Sequence, residues 1–183
     1  TSAQLDVIIE IGDVLASLSL VGCAFIAVSY FLFKHLHSFA FKLILSLAFA
    51  NVGFNVATLV GTDHGESKFL CMSQGISRVY FSLVQMALVT AIMAICYVMI
   101  IRRDYGVRNR LLLINGLCWT VPLVMALLPL TTGSYGWTGA WCSIVSTNLK
   151  EFVAGTIWRF LVIYIPLWLS TVANAYLYWR VWR

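Results

Sequence analysis

Two arginines stand inside apolar runs, Arg78 and Arg159. A guanidinium carries five N–H donors in a planar fork that matches a carboxylate or phosphate two bonds at a time. Arg78 belongs to the stretch FLCMSQGISRVYFSLVQMALVTAIMAICYVMIIRR, from Phe69 to Arg103. Gln74, Arg78, Ser82 and Gln85 recur there at spacings of four, four and three, which puts them on one face of a helix. A polar stripe facing lipid is costly, so this face should meet other helices or a water-filled pocket. Arg159 lies at similar depth in a later apolar run. Two guanidiniums entering one cavity would suit a small anion. The alternative is that each pairs with an acid, Glu10, Asp13 or Glu151, or carries its head out to water on its apolar stem. Trp141, with Tyr135 and Trp137, would stack on such a ligand as a lid, or would serve as an interfacial anchor, where Trp and Tyr collect in any case.

Other chemistry is not encoded. There is no phosphate-binding GxxxxGK[ST] loop and no GxSxG. His35 and His37 are neighbours, but His64 falls at the opposite end of the helices, so the three histidines form no metal set. The reading is a non-enzymatic protein without cofactor or metal.

The elements that must position these residues are membrane helices. Of 183 residues 61% are hydrophobic and 10% charged, against about a quarter charged in a soluble domain. The net charge of +5 does not point to nucleic acid, because the basic residues sit at the ends of apolar segments. Five such segments are predicted, at about 7–33, 41–61, 69–101, 110–130 and 151–179. They make an all-α, polytopic membrane helix bundle, read as one transmembrane domain over 1–183. The third segment is central and long enough as a helix, about 50 Å, to cross a bilayer with overhang. Ala48, Asn51, Asn55 and Thr58 form a small-and-polar stripe on the second, suited to close helix packing. Pro122, Pro129 and Pro166 are predicted kinks. Residues 131–150 form the longest loop.

Eight basic residues, Lys34, Lys42, Arg102, Arg103, Arg108, Arg110, Arg180 and Arg183, fall on one side of the five spans, and two, Lys68 and Lys150, on the other. The excess predicts an outside N-terminus and a cytoplasmic C-terminus. Lys34, His35, Lys42, Arg102 and Arg103 then anchor the inner interface and are candidate contacts for a cytoplasmic partner. Cys71 and Cys142 share the outer side, where an oxidising exterior favours a disulfide; two unpaired thiols are the alternative. Cys23, Cys96 and Cys118 lie within apolar runs as free core thiols.

The phrases SLVGCAFIAVSYFLFKHLHSFAFKLILSLAFAN, CMSQG, GAWCSI and IYIPLWLSTVANAYLY, in this order, resemble the cyclic-AMP-receptor-like (class E type) group of G-protein-coupled receptors. The resemblance implies a seven-helix architecture, a bridge from Cys71 to the second outer loop, a plasma-membrane location, a small anionic ligand of cyclic-nucleotide type and a heterotrimeric G protein inside. It departs from the family at Asn51, where an aspartate is usual, which puts ion-linked regulation in doubt. Only five of seven helices lie before Arg183, so the chain is expected to be part of a larger receptor. The alternative is an accessory subunit of a larger membrane complex. A transporter is the third reading, and no internal repeat supports it.

Overall fold

The computed structural model describes residues 2–34, 39–60, 67–101, 103, 106, 110–138, 141–145 and 149–183. His35 and Arg102 lie outside them.

Helix α1 runs Ser2–Leu32, α2 Phe39–Leu59, α3 Lys68–Ile101 and α4 Leu111–Leu127, followed by a tight turn at Leu128–Thr132. A hairpin of β1 (Tyr135–Trp137) and β2 (Cys142–Ile144) comes next, then α5 (Leu149–Arg159) and α6 (Ile165–Trp182). Among the described residues five helical segments are long and apolar enough to cross a membrane, and they fall on the five predicted spans. The architecture is an all-α membrane helix bundle.

Helix α3 is the shared partner. It packs against α2, α4, α6 and both hairpin strands. Val84 and Leu88 on α3 are fully buried, together with Leu43 and Ala50 of α2. A second core cluster joins Val79 and Leu83 of α3 to Ala126, Ile144 and Val162. Helix α1 packs on α2, and α1 and α6 make no extended contact with each other. Their outer faces, Leu18, Val21 and Phe25 on one and Trp168, Leu169 and Val172 on the other, are exposed.

Most polar side chains of the interior bond between helices, as hydrocarbon requires, and among the described residues the buried Asn174 Oδ1 is the exception, with no partner. Asn55 is buried and donates to Ser19 Oγ on α1 at 2.9 Å. Asn51 Oδ1 accepts from Gln85 Nε2 at 3.3 Å, joining α2 to α3. Trp119 Nε1 on α4 donates to Ser46 Oγ on α2, which in turn donates to Asn115 Oδ1. Thr90, Ser170 and Asn174 tie α3 to α6.

The prolines act differently from one another. Pro122 stays inside α4. Pro129 does not bend that helix but begins the tight turn that ends it. Pro166 follows a wide turn of π type at Phe160–Tyr164. A proline ring clashes with the carbonyl four residues back. Widening the turn relieves this, and the Ile165 N–H bonds the Phe160 carbonyl, five residues back.

The segment read as a loop contains the hairpin, paired antiparallel with Tyr135 opposite Ile144 and Trp137 opposite Cys142. The sequence gives little warning of strands only three residues long. Cys71 and Cys142 are disulfide-bonded, with Cα atoms 5.3 Å apart, and Cys23, Cys96 and Cys118 are free. Gly75 lets the hairpin lie flat on α3. A Cβ there would come 2.9 Å from the Tyr135 ring and 3.4 Å from the Cys142 backbone.

A Cβ on Gly53 would collide with the Phe81 ring, which sits between α2 and α4 beside Trp119. Gly53→Leu should therefore cost at least the roughly 1–3 kcal/mol typical of overpacking, read as a lowered unfolding temperature in detergent. The disulfide closes a span of 71 residues. Cys142→Ala should cost about 2–5 kcal/mol, and Tyr135→Phe, which removes one hydrogen bond, only about 0.5–1.5 kcal/mol. The same melting measurement checks the order; equal effects would show that the bridge adds nothing to the hairpin's other attachments.

Candidate functional site

The hairpin roofs one end of the bundle and is fastened to three helical segments. On α3, the disulfide is joined by buried Gln74, whose Oε1 accepts from the Cys142 N–H at 3.2 Å while its Nε2 donates to the Val60 carbonyl at 2.8 Å. On α4, the Ala126 carbonyl accepts from Tyr135 Oη at 2.7 Å. Burial pushes the ionisation of this phenol well above its ordinary range, so it remains a donor at any physiological pH. On α5, Arg159 Nε donates to the Ile144 carbonyl at 2.6 Å. The neighbouring Trp158 Nε1 donates to Thr132 Oγ1 at 2.9 Å.

Beneath the roof lies a cleft of about 130 Å³. Its floor and wall come from α3, with Arg78, Ser82, Leu83 and Met86. Phe54 closes it from α2, Ile163 from the wide turn, and Trp141 and Ser143 from the hairpin. The Arg78 guanidinium carbon lies 5.2 Å from the Phe54 ring centroid and 4.8 Å from that of Trp141. Its Nη1 donates to Thr58 Oγ1 at 3.1 Å. Among the described residues these are the partners of Arg78, and none is an acid. Contacts to ring faces use the flat sides of the guanidinium and consume no N–H donor. Thr58 takes one donor of the fork. Thr58 is itself spoken for, since its hydroxyl donates to the Phe54 carbonyl.

The polar stripe predicted for α3 is thus divided among three tasks. Arg78 and Ser82 reach the cleft, as does Trp141 from the hairpin. Gln74 does not line it, because both ends of its amide are held by backbone groups. Gln85 is turned into the α2 interface. Arg159 was expected to enter the same cavity as Arg78, but it does not line the cleft. The strand carbonyl of Ile144 lies within its reach and takes its N–H first. The acid-pairing alternative for Arg78 finds no support among the described residues. Glu151 was one of the acids named for it, and its side chain lies outside them. Sequence reasoning missed Phe54, Ser143 and Thr58 as neighbours of Arg78. Thr58 was placed on the stripe of α2 that faces other helices, and its four-residue spacing from Phe54 was the available signal.

At the opposite end of the bundle Lys34, Lys42 and Arg103 are exposed. Arg103 follows α3 with a left-handed backbone, φ 50°. Arg180 Nη2 contacts Tyr97 Oη at 3.4 Å, and Arg183 lies over the Trp179 ring at 5.5 Å.

Comparison with known proteins agrees with this layout. The chain is 28% identical over 183 residues to "G-protein coupled receptor 1" of Arabidopsis thaliana, covering 100% of this chain and 54% of the relative. It is 28% identical over 152 residues to "Cyclic AMP receptor-like protein A" of Dictyostelium discoideum, covering 83% of this chain and 38% of that one. The chain therefore spans about half the length, or less, of these curated relatives. The model of one family, described as slime mold cyclic AMP receptor, matches residues 2–180. A disulfide-pinned hairpin over a helix bundle, joined to a family match along almost the whole chain, identifies an integral membrane protein of the slime mold cyclic AMP receptor family.

Proposed function

We propose that this protein senses an extracellular anionic ligand at the hairpin end of the bundle and signals to a heterotrimeric G protein at the other. The observation that carries the reading is Arg78: a guanidinium within a membrane helix, beneath a roof, with aromatic and hydroxyl partners but no acid among the described residues. A cation in that setting is costly unless an anion completes it. Ser82 and Ser143 add hydroxyl groups to the cleft, and Trp141 covers it.

The orientation rests on charge. Lys34, Lys42, Arg103, Arg180 and Arg183 cluster away from the hairpin, which favours a cytoplasmic location for that end. The disulfide at the hairpin end favours an extracellular or luminal location for the roof, and the plasma membrane is the membrane where such a sensor would act. Lys34, Lys42 and Arg103 are the proposed contacts of the G protein, with His35 and Arg102 beside them in sequence. That α1 and α6 do not close on each other weighs against the accessory-subunit reading.

The name of the Dictyostelium relative makes cyclic AMP the first probe. In cells carrying the full-length protein, ligand-driven nucleotide exchange on the G protein should lose at least tenfold in ligand sensitivity with Arg78→Gln. The paired change Lys42→Glu with Arg103→Glu should reduce the maximal response and leave the half-maximal concentration in place. An Arg78→Gln protein that reaches the surface and responds like the wild type would remove Arg78 from the ligand site.

A further inference from the structure

The cleft under the hairpin has a neighbour. A second cavity of about 410 Å³ lies between α3, α4 and α6, and its lining is almost wholly apolar. Leu83 and Met86 belong to both cavities. Leu83 lies twelve residues from Cys71 and Thr90, at the far end of the groove, nineteen. At 1.5 Å per residue these depths are about 18 and 28 Å along α3, so the groove sits at the level of the hydrocarbon core. It opens towards lipid past Val121 on α4 and Leu169 on α6, both exposed.

The two volumes constrain the occupant. Small-molecule sites are commonly about 300–1,000 Å³. The polar cleft, at about 130 Å³, falls well below that range and fits a phosphate or carboxylate group rather than a whole nucleotide. The apolar groove falls within the range but offers little polar surface of its own beyond the Thr90 and Ser170 hydroxyls. Those hydroxyls already bond each other at 2.8 Å, and both accept from Asn174. One cavity has the charge and the other the room. Between them stands Met86, an unbranched side chain that adapts its shape readily.

We infer that the two cavities form one site for a single-chain anionic lipid, with its phosphate or carboxylate on Arg78 and its acyl chain past Met86 in the groove between α4 and α6. The inference rests on the reading of Arg78 as the anion site, and it adds the chemical class of the ligand. Charge places the head: Arg78 has no acid partner among the described residues and most of its fork is uncommitted. Burial of apolar surface at roughly 25 cal/mol per Å² places the tail. The chain would enter sideways from the bilayer, since the hairpin covers the end of the bundle.

Binding to the purified full-length protein in nanodiscs tests this without any signalling step. The probes are radiolabelled oleoyl lysophosphatidate, glycerol 3-phosphate as the same head without a tail, monooleoylglycerol as the same tail without charge, and cyclic AMP. Lysophosphatidate should bind at least tenfold more tightly than each of the others. Arg78→Gln should weaken it at least tenfold. Val121→Trp and Leu169→Trp place bulk in the groove at exposed positions that the core does not use. They should weaken lysophosphatidate at least fivefold and leave glycerol 3-phosphate unchanged. Equal binding of monooleoylglycerol would overturn the proposal by showing a mere lipid contact. Tighter binding of cyclic AMP or glycerol 3-phosphate, lost in Arg78→Gln but indifferent to both tryptophans, would overturn the lipid and keep Arg78 as an anion site. Loss of neither probe in Arg78→Gln would overturn both.

Discussion

Hydrocarbon offers no water to an unpaired polar group, and this one constraint shapes the polar contacts between the helices. Helix α3 carries most of the burden. Gln74, Arg78, Gln85 and Thr90, spread over roughly four to five turns of it, each bond a neighbouring element. Gln74 holds the hairpin backbone, Arg78 meets α2 and Trp141, Gln85 meets Asn51, and Thr90 meets α6. Remove α3 and the other elements lose their common neighbour, because among the described residues α1 leans mainly on α2 and the hairpin mainly on α3.

The hairpin shows how the same constraint builds a roof. A strand edge over a membrane bundle must place its N–H and C=O groups somewhere. The Cys142 N–H goes to Gln74 and the Ile144 carbonyl to Arg159. The two side chains with the most obvious binding chemistry beside Arg78 are therefore used to hold backbone. Arg78 is distinguished less by its type than by its position one turn further in, against two aromatic faces.

That arrangement gives the fifth segment a particular part. Arg159 grips the hairpin immediately before the wide turn, Ile163 in that turn lines the cleft, and Pro166 just after it lines the apolar groove. A single short irregular stretch thus touches the roof, the polar cleft and the groove. Wide turns of this kind interrupt the regular ladder of hydrogen bonds and often occur at functional sites.

The sequence by itself determined the membrane class, the five spans and the inward face of α2, and it favoured the bridge of Cys71 with Cys142, which the structure shows. Hydropathy fixes which segments leave water, and helical spacing fixes which residues share a face; both are local properties that survive without knowledge of the neighbours. The tertiary structure decided what each polar residue does on that face. Gln74 and Arg159 read as ligand groups, but the hairpin lies within their reach and takes both, and Gly75 leaves it room to lie on α3. The shared wall of Leu83 and Met86 between the two cavities has no signature in the sequence, where both are ordinary apolar residues of a long helix. Hydrogen bonds form over about 3 Å, and only packing decides which of several possible partners comes that close.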